Sequence, residues 1–319
     1  MSATQMPMWW RRPLPRPAVP TSRPIVLVTD IEGPLEPGAR SLSDERAALE
    51  FLAALGIPLV INSSRTRAEI ERLCQSLNMM TPFISEGGSA LFLPYGSFPI
   101  VPSQAKPAVG GHVIEFGRRY HHVVEGLRQT CHELDVPISG LAELSIEDAS
   151  RALRVPMVEA QLAKLREYTE LFRIEDESEA VRSRVCRGLR RRGLRSWRAG
   201  SYHLVTAAPD RVVSLRVLRA LWRQTWSDPV IVGLGDSEDD VSWLRYTDVA
   251  VVVQDPRTSL SARVLAKLPT AHVTRCAGRR GWSEAVFETI GRLVTPRASM
   301  KATIEVTNRV GFISRKPFA

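Results

Sequence analysis

The chain has 319 residues, of which 44% are hydrophobic and 24% charged, and its formal net charge is +9. This composition is ordinary for a globular protein, and the length allows one large domain or two modest ones. No apolar run approaches the roughly 18 residues of a membrane span, which excludes a membrane partner. Residues 1–24 are basic and rich in proline and lack the apolar segment of a secretory signal, so we expect a cytoplasmic location.

The cysteines and the basic residues argue against two other classes. The cysteines are scattered, without a CxxC pair or a histidine at metal-ligand spacing, which predicts free thiols rather than a zinc site or a disulfide framework. Eight arginines lie within residues 182–198. Such a run can bind nucleic acid or an anionic small molecule, or it can be a solvated helix face. We favour the solvated face, because no aromatic residues alternate with the arginines as in a base-stacking platform.

The first part of the chain alternates apolar strands with amphipathic helices. Strands are predicted at residues 25–29 and 57–64, and helices at 41–56 and 66–79. Residues 82–94 predict a third strand, a tight glycine turn and a returning strand. Because a helix follows each of the first strands, these strands should be parallel and buried on both faces.

The middle of the chain changes character and predicts an α+β insert at residues 99–202. Amphipathic stretches are expected at 118–134, 145–155 and 158–172, and strands at 172–176 and 195–207. The alternation then resumes with a helix at 209–224, a strand at 228–236, a short helix at 237–246, a strand at 249–254 and a helix at 281–294.

These elements predict an α/β fold: a doubly wound, mostly parallel Rossmann-like sheet with an inserted α+β cap domain. The predicted division is a disordered basic tail at 1–22, a core at 23–98 and 203–296, a cap at 99–202 and a C-terminal tail at 297–319. Loops at 98–102 and 199–203 would act as hinges, so that the cap closes over the core.

Acidic and hydroxyl side chains stand where the apolar runs end. Asp30 and Glu32 follow the first strand, Ser63 and Ser64 end the second, and Asp236 ends the strand within PVIVGLGD. In an open parallel sheet, ligands bind beyond the carboxyl ends of the strands. Carboxylates and hydroxyls gathered there suit a magnesium-assisted phosphoryl transfer.

Each of these residues has a candidate role. Asp30 can attack phosphorus and form an aspartyl-phosphate, and Glu32 can act as the general acid and base. Asp236 can help to hold Mg²⁺, and the hydroxyl of Ser63 can donate to a phosphate oxygen. Arg211, at a predicted helix start, is the available cation for the developing charge.

Plainer explanations remain open for several of them. Asp30 could cap a strand end, and Ser63 could be the N-cap of the second helix. Asp239 could be a solvated acid without a ligand role, and Asp240 is better suited to orienting the metal site than to binding the ion. His203, on an apolar strand, is expected to be a core histidine.

The segments TDIEGPL, INSSRT and GLGDSEDD resemble the first, second and fourth motifs of the haloacid dehalogenase superfamily of phosphohydrolases. The segments GIPLVINSSRTRAEIERL, PFISEGGSALFLPYGSF, LAKLREYTELF and GWSEAV are similar to the branch that acts on mannosyl-3-phosphoglycerate. The resemblance spans roughly residues 25–293. It implies a Mg²⁺-dependent phosphatase that hydrolyses a glycosyl-3-phosphoglycerate, with the mannosyl compound preferred, and so makes mannosylglycerate, a compatible solute.

The resemblance also implies a set of site residues. Asp30 is the nucleophile, Glu32 is the acid/base whose carbonyl also binds Mg²⁺, and Ser63 binds phosphate. The implied metal site comprises Asp30, Glu32, Asp236 and Asp240. The residues implied to contact the phosphorylated sugar-glycerate substrate are Ser64, Arg65, Glu86, Gly87, Arg166, Glu167 and Tyr168.

Some positions depart from the family pattern and keep alternatives open. Glu32 stands where Asp is usual, Pro34 replaces Thr and Leu171 replaces Pro. Arg211 falls where the family has lysine, and a planar guanidinium is not equivalent to a compact ammonium. The alternatives are a phosphatase for another sugar phosphate, or a catalytically impaired member that acts as a binding or regulatory protein.

Overall fold

The computed structural model describes residues 23–31, 43–254 and 262–294. Glu32, Pro34 and the two predicted tails lie outside the described residues. The first elements are β1 (Ile25–Thr29), α1 (Ser43–Ala54), β2 (Leu59–Asn62), α2 (Arg67–Ser76), β3 (Phe83–Ser85) and β4 (Ala90–Pro94). They agree with the strands and helices predicted from the sequence for this part of the chain.

The middle of the chain contributes ten elements. They are β5 (Lys106–Ala108), β6 (Gly111–Glu115), α3 (Tyr120–Glu133), β7 (Ile138–Gly140), α4 (Ile146–Leu153), α5 (Met157–Ala163), β8 (Thr169–Ile174), α6 (Glu179–Arg191), β9 (Arg195–Ala199) and β10 (Tyr202–Thr206). The amphipathic stretch predicted at 158–172 is wrong in its second half, because α5 ends at Ala163 and Thr169 begins a strand.

The last part returns to the alternation of strand and helix. Its elements are α7 (Arg211–Thr225), β11 (Val230–Gly235), α8 (Val241–Leu244), β12 (Val249–Gln254), α9 (Ala262–Lys267), β13 (His272–Ala277), α10 (Gly278–Ala285) and α11 (Gly291–Val294). A π-helical turn, Val286–Ile290, joins α10 to α11. Neither α9 nor β13 was predicted from the sequence.

The strands form two separate sheets. The larger has nine strands in the order β13-β12-β11-β1-β2-β3-β4-β6-β5, and the smaller has four in the order β7-β8-β10-β9. The pairs from β13 through β3 are parallel, and the β3–β4, β4–β6 and β5–β6 pairs are antiparallel. The predicted fold class is thereby confirmed: an α/β protein with a large, mostly parallel sheet and a separate antiparallel one.

The central strands are buried on both faces. Ile25 and Leu27 of β1 belong to one apolar cluster and Val26 and Val28 to a second, as the alternation of side chains in a strand requires. The first cluster includes side chains of α1 and α10, and the second includes side chains of α7 and α8. This sandwich fixes the carboxyl ends of the parallel strands, where the predicted site residues lie.

The antiparallel sheet has its own packing. One cluster joins Val123 of α3 and Val185 of α6 to Phe172 of β8, and another joins Ala149 and Ala160 of α4 and α5 to Leu204 of β10. Three strands lie in a sheet other than the one that the proposed division of the chain would give them. The β5–β6 hairpin extends the larger sheet by pairing with β4, and β10 pairs with β8 in the smaller one.

The remaining sequence predictions concern cysteines and membranes. All four cysteines are free thiols, and burial raises the pKa of Cys74 to about 12. Within the described residues, no helix is both long and apolar enough to cross a membrane.

Candidate active site

Three carboxylates meet at the carboxyl ends of the central strands. Asp30 follows β1, Asp236 follows β11, and Asp240 lies in the 3-10 turn before α8. One carboxylate oxygen from each lies within 4.8 Å of the others. Asp30 and Asp240 are buried, with 3% and 0% exposure, and Asp236 is half-buried. The arrangement brings Asp30 and Asp236 close enough to share one ion, as the sequence predicted.

The backbone at Asp30 is held on both sides of the residue. Its N–H donates to the carbonyl of Leu234 at 3.0 Å, which continues the pairing of β1 with β11. Thr29 donates its hydroxyl to the Asp30 carbonyl at 2.8 Å, and the indole N–H of Trp282 donates to the Thr29 hydroxyl at 3.0 Å. A nucleophile placed here is anchored by rigid elements rather than by a loose loop.

Asp240 is fully engaged by hydrogen bonds. Its Oδ1 accepts from Nη1 of Arg211 at 3.2 Å and from the indole of Trp243 at 2.9 Å. Its Oδ2 accepts from the N–H groups of Asp236 and Ser237 and from the Ser237 hydroxyl, at 2.9 to 3.1 Å. A carboxylate offers about four lone-pair sites, so these bonds fill it. Asp240 therefore fixes the loop that carries Asp236 and holds Arg211 in place.

Gly235 allows this loop to close. A β-carbon at this residue would lie 2.7 Å from Cβ and 2.8 Å from Cγ of Asp240. Because any side chain would push Asp240 out of its network, the glycine of the GDSEDD motif is a structural requirement of the site.

Ser63 lies directly after β2 and is completely buried. Its Oγ accepts from the N–H of Arg65 at 3.1 Å, and its carbonyl accepts from the N–H of Gly87 at 3.0 Å. Thr66, not Ser63, is the N-cap of α2, and it forms a capping box with Glu69. The alternative helix-capping role of Ser63 is therefore wrong.

Glu86, which is expected to border the substrate, binds the segment before β8. It is completely buried, and its carboxylate accepts from the N–H groups of Glu167 and Tyr168 at 2.9 and 3.0 Å and from the Thr169 hydroxyl at 2.7 Å. Burial raises the pKa of Glu86, while the charge of Arg166 and these hydrogen bonds oppose the rise. Glu86 thus joins the larger sheet to the segment that leads into β8.

Gly87 packs against the side chain of Trp197 and does not face open space. It has a φ of 65°, and a β-carbon there would lie 2.8 Å from the ring of Trp197 on β9. The N–H of Glu86 donates to the carbonyl of Arg65 at 2.9 Å. The turn at Glu86 and Gly87 is therefore a joint between the loop after β2 and the antiparallel sheet.

Arg166 lies between the loop after β2 and a polar cavity. Its Nη1 donates to the Thr169 hydroxyl at 2.7 Å and approaches the Ser64 carbonyl at 3.4 Å. The cavity has a volume of about 210 Å³ and is lined by Tyr120, Leu141, Ala142, Lys164, Arg166 and Glu170. Tyr168, by contrast, donates its hydroxyl to Glu115 of β6 at 2.7 Å. Of the three expected cap contacts, Arg166 alone lines this cavity.

Sequence reasoning missed several residues that build the site. Trp243 and Trp282 each place a buried indole N–H on a group that positions a carboxylate. Their signal in the sequence is weak, although a buried tryptophan usually needs a partner for its N–H. Tyr120 and Glu170, which line the cavity, gave no signal, because their meeting depends on the packing of α3 against β8.

The described site has the components of phosphoryl transfer. It holds two carboxylates that can share a divalent ion, a buried hydroxyl in Ser63 and a buried cation in Arg211. Carboxylate oxygens are the hard ligands that Mg²⁺ prefers, so the donor set fits that ion.

Solved structures place this architecture in a known class. A haloacid dehalogenase subclass IIB sugar phosphatase has a TM-score of 0.58 and 20% identity, covering 83% of this chain and 98% of its own. A haloacid dehalogenase-like hydrolase from Bacteroides thetaiotaomicron has a TM-score of 0.57 and 18% identity, covering 84% and 100%. The fold is that of the haloacid dehalogenase superfamily. No protein-family model matches the chain.

Curated relatives narrow the class. A glucosyl-3-phosphoglycerate/mannosyl-3-phosphoglycerate phosphatase of Methanococcoides burtonii is 31% identical over 268 residues, which cover 84% of this chain and 97% of the relative. One of the same name from Persephonella marina is 28% identical and covers 84% and 98%. A mannosyl-3-phosphoglycerate phosphatase of Pyrococcus furiosus is 27% identical and covers 66% and 83%. The chain belongs to the family of glucosyl-3-phosphoglycerate/mannosyl-3-phosphoglycerate phosphatases, which are phosphoric monoester hydrolases.

Proposed function

We propose that the protein is a Mg²⁺-dependent phosphatase that hydrolyses mannosyl- and glucosyl-3-phosphoglycerate to the glycosylglycerate and inorganic phosphate. The main support is the meeting of Asp30 and Asp236 within 4.8 Å of each other at the carboxyl edge of the sheet. The names of the relatives give the substrate class. The reaction takes place in the cytoplasm and yields a compatible solute, with the mannosyl substrate preferred.

The chemistry follows from the carboxylate at the end of β1. An oxygen of Asp30 attacks phosphorus, the bond from phosphorus to the glycerate oxygen breaks, and that oxygen takes a proton from Glu32. Glu32 then takes a proton from water, the water oxygen attacks phosphorus, and the bond to Asp30 breaks. Inorganic phosphate leaves and Asp30 is restored.

Asp30 and Asp236 are the side chains that would hold Mg²⁺, together with the carbonyl of Glu32. When bound, the ion neutralises charge on the phosphate oxygens. Asp240 is in the same cluster, but its oxygens already accept five hydrogen bonds. We therefore assign Asp240 the role of orienting Asp236 and Arg211 rather than of binding the ion.

The remaining residues bind and enclose the substrate. Ser63 and Arg211 contact the phosphoryl group, and Ser64 and Arg65 border it. Arg166 reaches the sugar-glycerate part in the cavity lined by Tyr120 and Glu170. The core and cap domains close on each other at the joint formed by Glu86, which keeps bulk water away from the reacting centre and leaves room for the attacking water.

The test is phosphate release from both glycosyl-3-phosphoglycerates, with Mg²⁺ and with a chelator. Wild-type protein should release phosphate only with Mg²⁺, and Asp30→Asn should abolish release while keeping the melting temperature. Asp239→Asn is the matched control, because Asp239 is not in the carboxylate cluster, and it should stay active. Full activity of Asp30→Asn would refute the assignment of Asp30 as the nucleophile. Equal rates on unrelated sugar phosphates would refute the proposed substrate specificity.

A further inference from the structure

Asn62, the last residue of β2, has an unusual environment. Its side chain is completely buried, and neither the nitrogen nor the oxygen of its carboxamide has a hydrogen-bond partner. Among the described residues it is the one side chain with two buried polar atoms that lack a hydrogen-bond partner. Buried polar groups in native proteins are almost always paired, so such an exception calls for an explanation.

The register of the strands places Asn62 beside the nucleophile. Ile61 is the parallel partner of Thr29, so one residue further along each strand Asn62 is the neighbour of Asp30. Adjacent strands lie about 4.8 Å apart. By the alternation of side chains, Asn62 continues the face of Val60, which packs in the same cluster as Val28 of β1. Asn62 therefore ends this apolar row at the rim of the site.

The same face carries the cation of the site. Leu215 and Trp222 of α7 pack in the cluster with Val60, and Arg211 is the first residue of α7. Ser214, one turn into α7, donates its hydroxyl to the carbonyl of Gly88 at 2.9 Å, which ties the start of α7 to the turn after β3. Asn62 therefore lies under the start of α7, between the strand of the nucleophile and β3.

We propose that Asn62 is a phosphoryl-binding residue of the active site, a role that rests on the proposed phosphatase function. Its NH₂ group donates to an oxygen of the bound phosphoryl group, and its carbonyl accepts from the Arg211 guanidinium in the loaded site. The phosphoryl oxygen would thus be the acceptor for the carboxamide nitrogen, and the Arg211 guanidinium would be the donor to the carboxamide oxygen.

A structural role does not account for this residue. The other members of β2 are Leu59, Val60 and Ile61, all buried, and an apolar residue at position 62 would avoid an unsatisfied amide. Active sites are the places where proteins keep residues that lower stability for the sake of function.

Asn62→Leu separates the two explanations, because it keeps the side-chain size and removes both polar atoms. The variant should melt at or above the temperature of the wild type. Its kcat should fall at least tenfold, and inhibition by orthovanadate, an analogue of the transferred phosphoryl group, should weaken at least tenfold. Asn62→Ala covers the case in which leucine does not fit the site and the first variant fails to fold. Because alanine only removes atoms, this variant should show the same losses in kcat and in orthovanadate inhibition.

Ser97→Ala is the matched control. Ser97 also has a buried hydroxyl without a partner, but it follows β4, which runs away from the site. This variant should keep wild-type kcat and orthovanadate inhibition. The proposal is overturned if both Asn62 variants stay within twofold of the wild type in kcat and in orthovanadate inhibition, or if activity falls only in proportion to folded protein.

The outcome can be separated from that of the proposed function. If the wild type hydrolyses p-nitrophenyl phosphate but no glycosyl-3-phosphoglycerate, the proposed substrate is refuted, and the Asn62 variants still answer the question with orthovanadate. If the wild type neither hydrolyses a phosphomonoester nor binds orthovanadate, both proposals are refuted.

Discussion

Nη1 of Arg211 lies 3.2 Å from Oδ1 of Asp240, and the two side chains are only 6% and 0% exposed. The pair links Arg211, the proposed cation of the phosphoryl site, to the loop that carries Asp236. This one contact therefore helps to hold both Arg211 and the Asp236 loop in place. An ion pair buried this deeply is sensitive to the loss of either partner.

Replacing Arg211 by methionine should damage both stability and catalysis. The variant leaves Asp240 as a buried carboxylate without its cation, which should lower the free energy of unfolding by about 3 kcal/mol. Loss of a donor to the developing charge should lower kcat about 100-fold or more. Arg211→Lys, which keeps the charge, is the control and should retain more activity and stability. Urea unfolding and phosphate release measure the two effects, and a methionine variant within threefold of wild-type kcat would exclude Arg211 from the reaction.

Glu86→Gln should weaken the joint between the two sheets. A glutamine has one carbonyl oxygen, so its NH₂ group must face a donor from Glu167, Tyr168 or Thr169. We expect kcat/KM for glycosyl-3-phosphoglycerate to fall about tenfold, since each hydrogen bond to a charged group contributes about 1.5–3 kcal/mol. Activity on p-nitrophenyl phosphate, which is too small to use the cavity, should change much less.

A second glutamate between the same two units serves as the control. Glu159 of α5 pairs with Arg72 of α2 at 3.1 Å, and both side chains are partly exposed. Exposed ion pairs contribute little, so Glu159→Gln should leave both activities unchanged. Equal losses on both substrates in Glu86→Gln would show that the variant disturbs the whole fold rather than the contact between the two sheets.

Gly87→Ala should be more harmful than an alanine at another left-handed glycine. Gly96 has a φ of 79° with nothing within 4 Å of an added β-carbon, whereas at Gly87 the added atom meets Trp197 at 2.8 Å. Gly96→Ala should cost about 1 kcal/mol from backbone strain alone, and Gly87→Ala about 3 kcal/mol because the ring must also move. Thermal or urea unfolding measures both. Trp197→Leu in the Gly87→Ala background should restore part of the loss, and no recovery would contradict the packing argument.

His203 should make stability depend on pH. It is buried against Phe172, and desolvation lowers its pKa, while Glu177 opposes the shift and Arg198 and Arg182 add to it. The unfolded chain therefore binds a proton at His203 more readily than the folded protein does. The contribution of His203 to stability is complete above about pH 6.5, the ordinary pKa of histidine, and is lost as the pH falls below that value.

The measurement is the melting temperature between pH 7.5 and pH 5, a window chosen to span the histidine titration at about 6.5. His203→Gln should flatten this dependence relative to the wild type. His132→Gln, on an exposed residue of α3, is the control and should leave the slope unchanged, since that ring lies in solvent before and after unfolding. An unaltered slope in His203→Gln would contradict the prediction.

The parallel strands and the residues at their ends could be predicted because local sequence determines them. The apolar runs before Asp30, Ser63 and Asp236 are long enough to indicate strands buried on both faces, and parallel strands bring their carboxyl ends together. The meeting of Asp30 with Asp236 required no knowledge of distant contacts beyond the order of the strands.

The segment around Tyr168 could not be predicted in the same way. Val158, Leu162, Leu165 and Phe172 recur at i, i+4, i+7 and i+14, which suits a helix. The backbone instead turns into β8 because the buried carboxylate of Glu86 binds the N–H groups of Glu167 and Tyr168. That contact joins residues 81 or more positions apart, so no local pattern reveals it.

The strand β5 forms one edge of the nine-stranded sheet, and its sequence disfavours pairing with a further strand. Proline has no N–H to offer a neighbouring strand, and a charged lysine disfavours one, so Lys106 and Pro107 discourage sheet extension at that end. In the part of the chain that the structure describes, β13 forms the opposite edge. Of the two edges of this sheet, β13 is therefore the one that can more readily recruit a strand from another molecule.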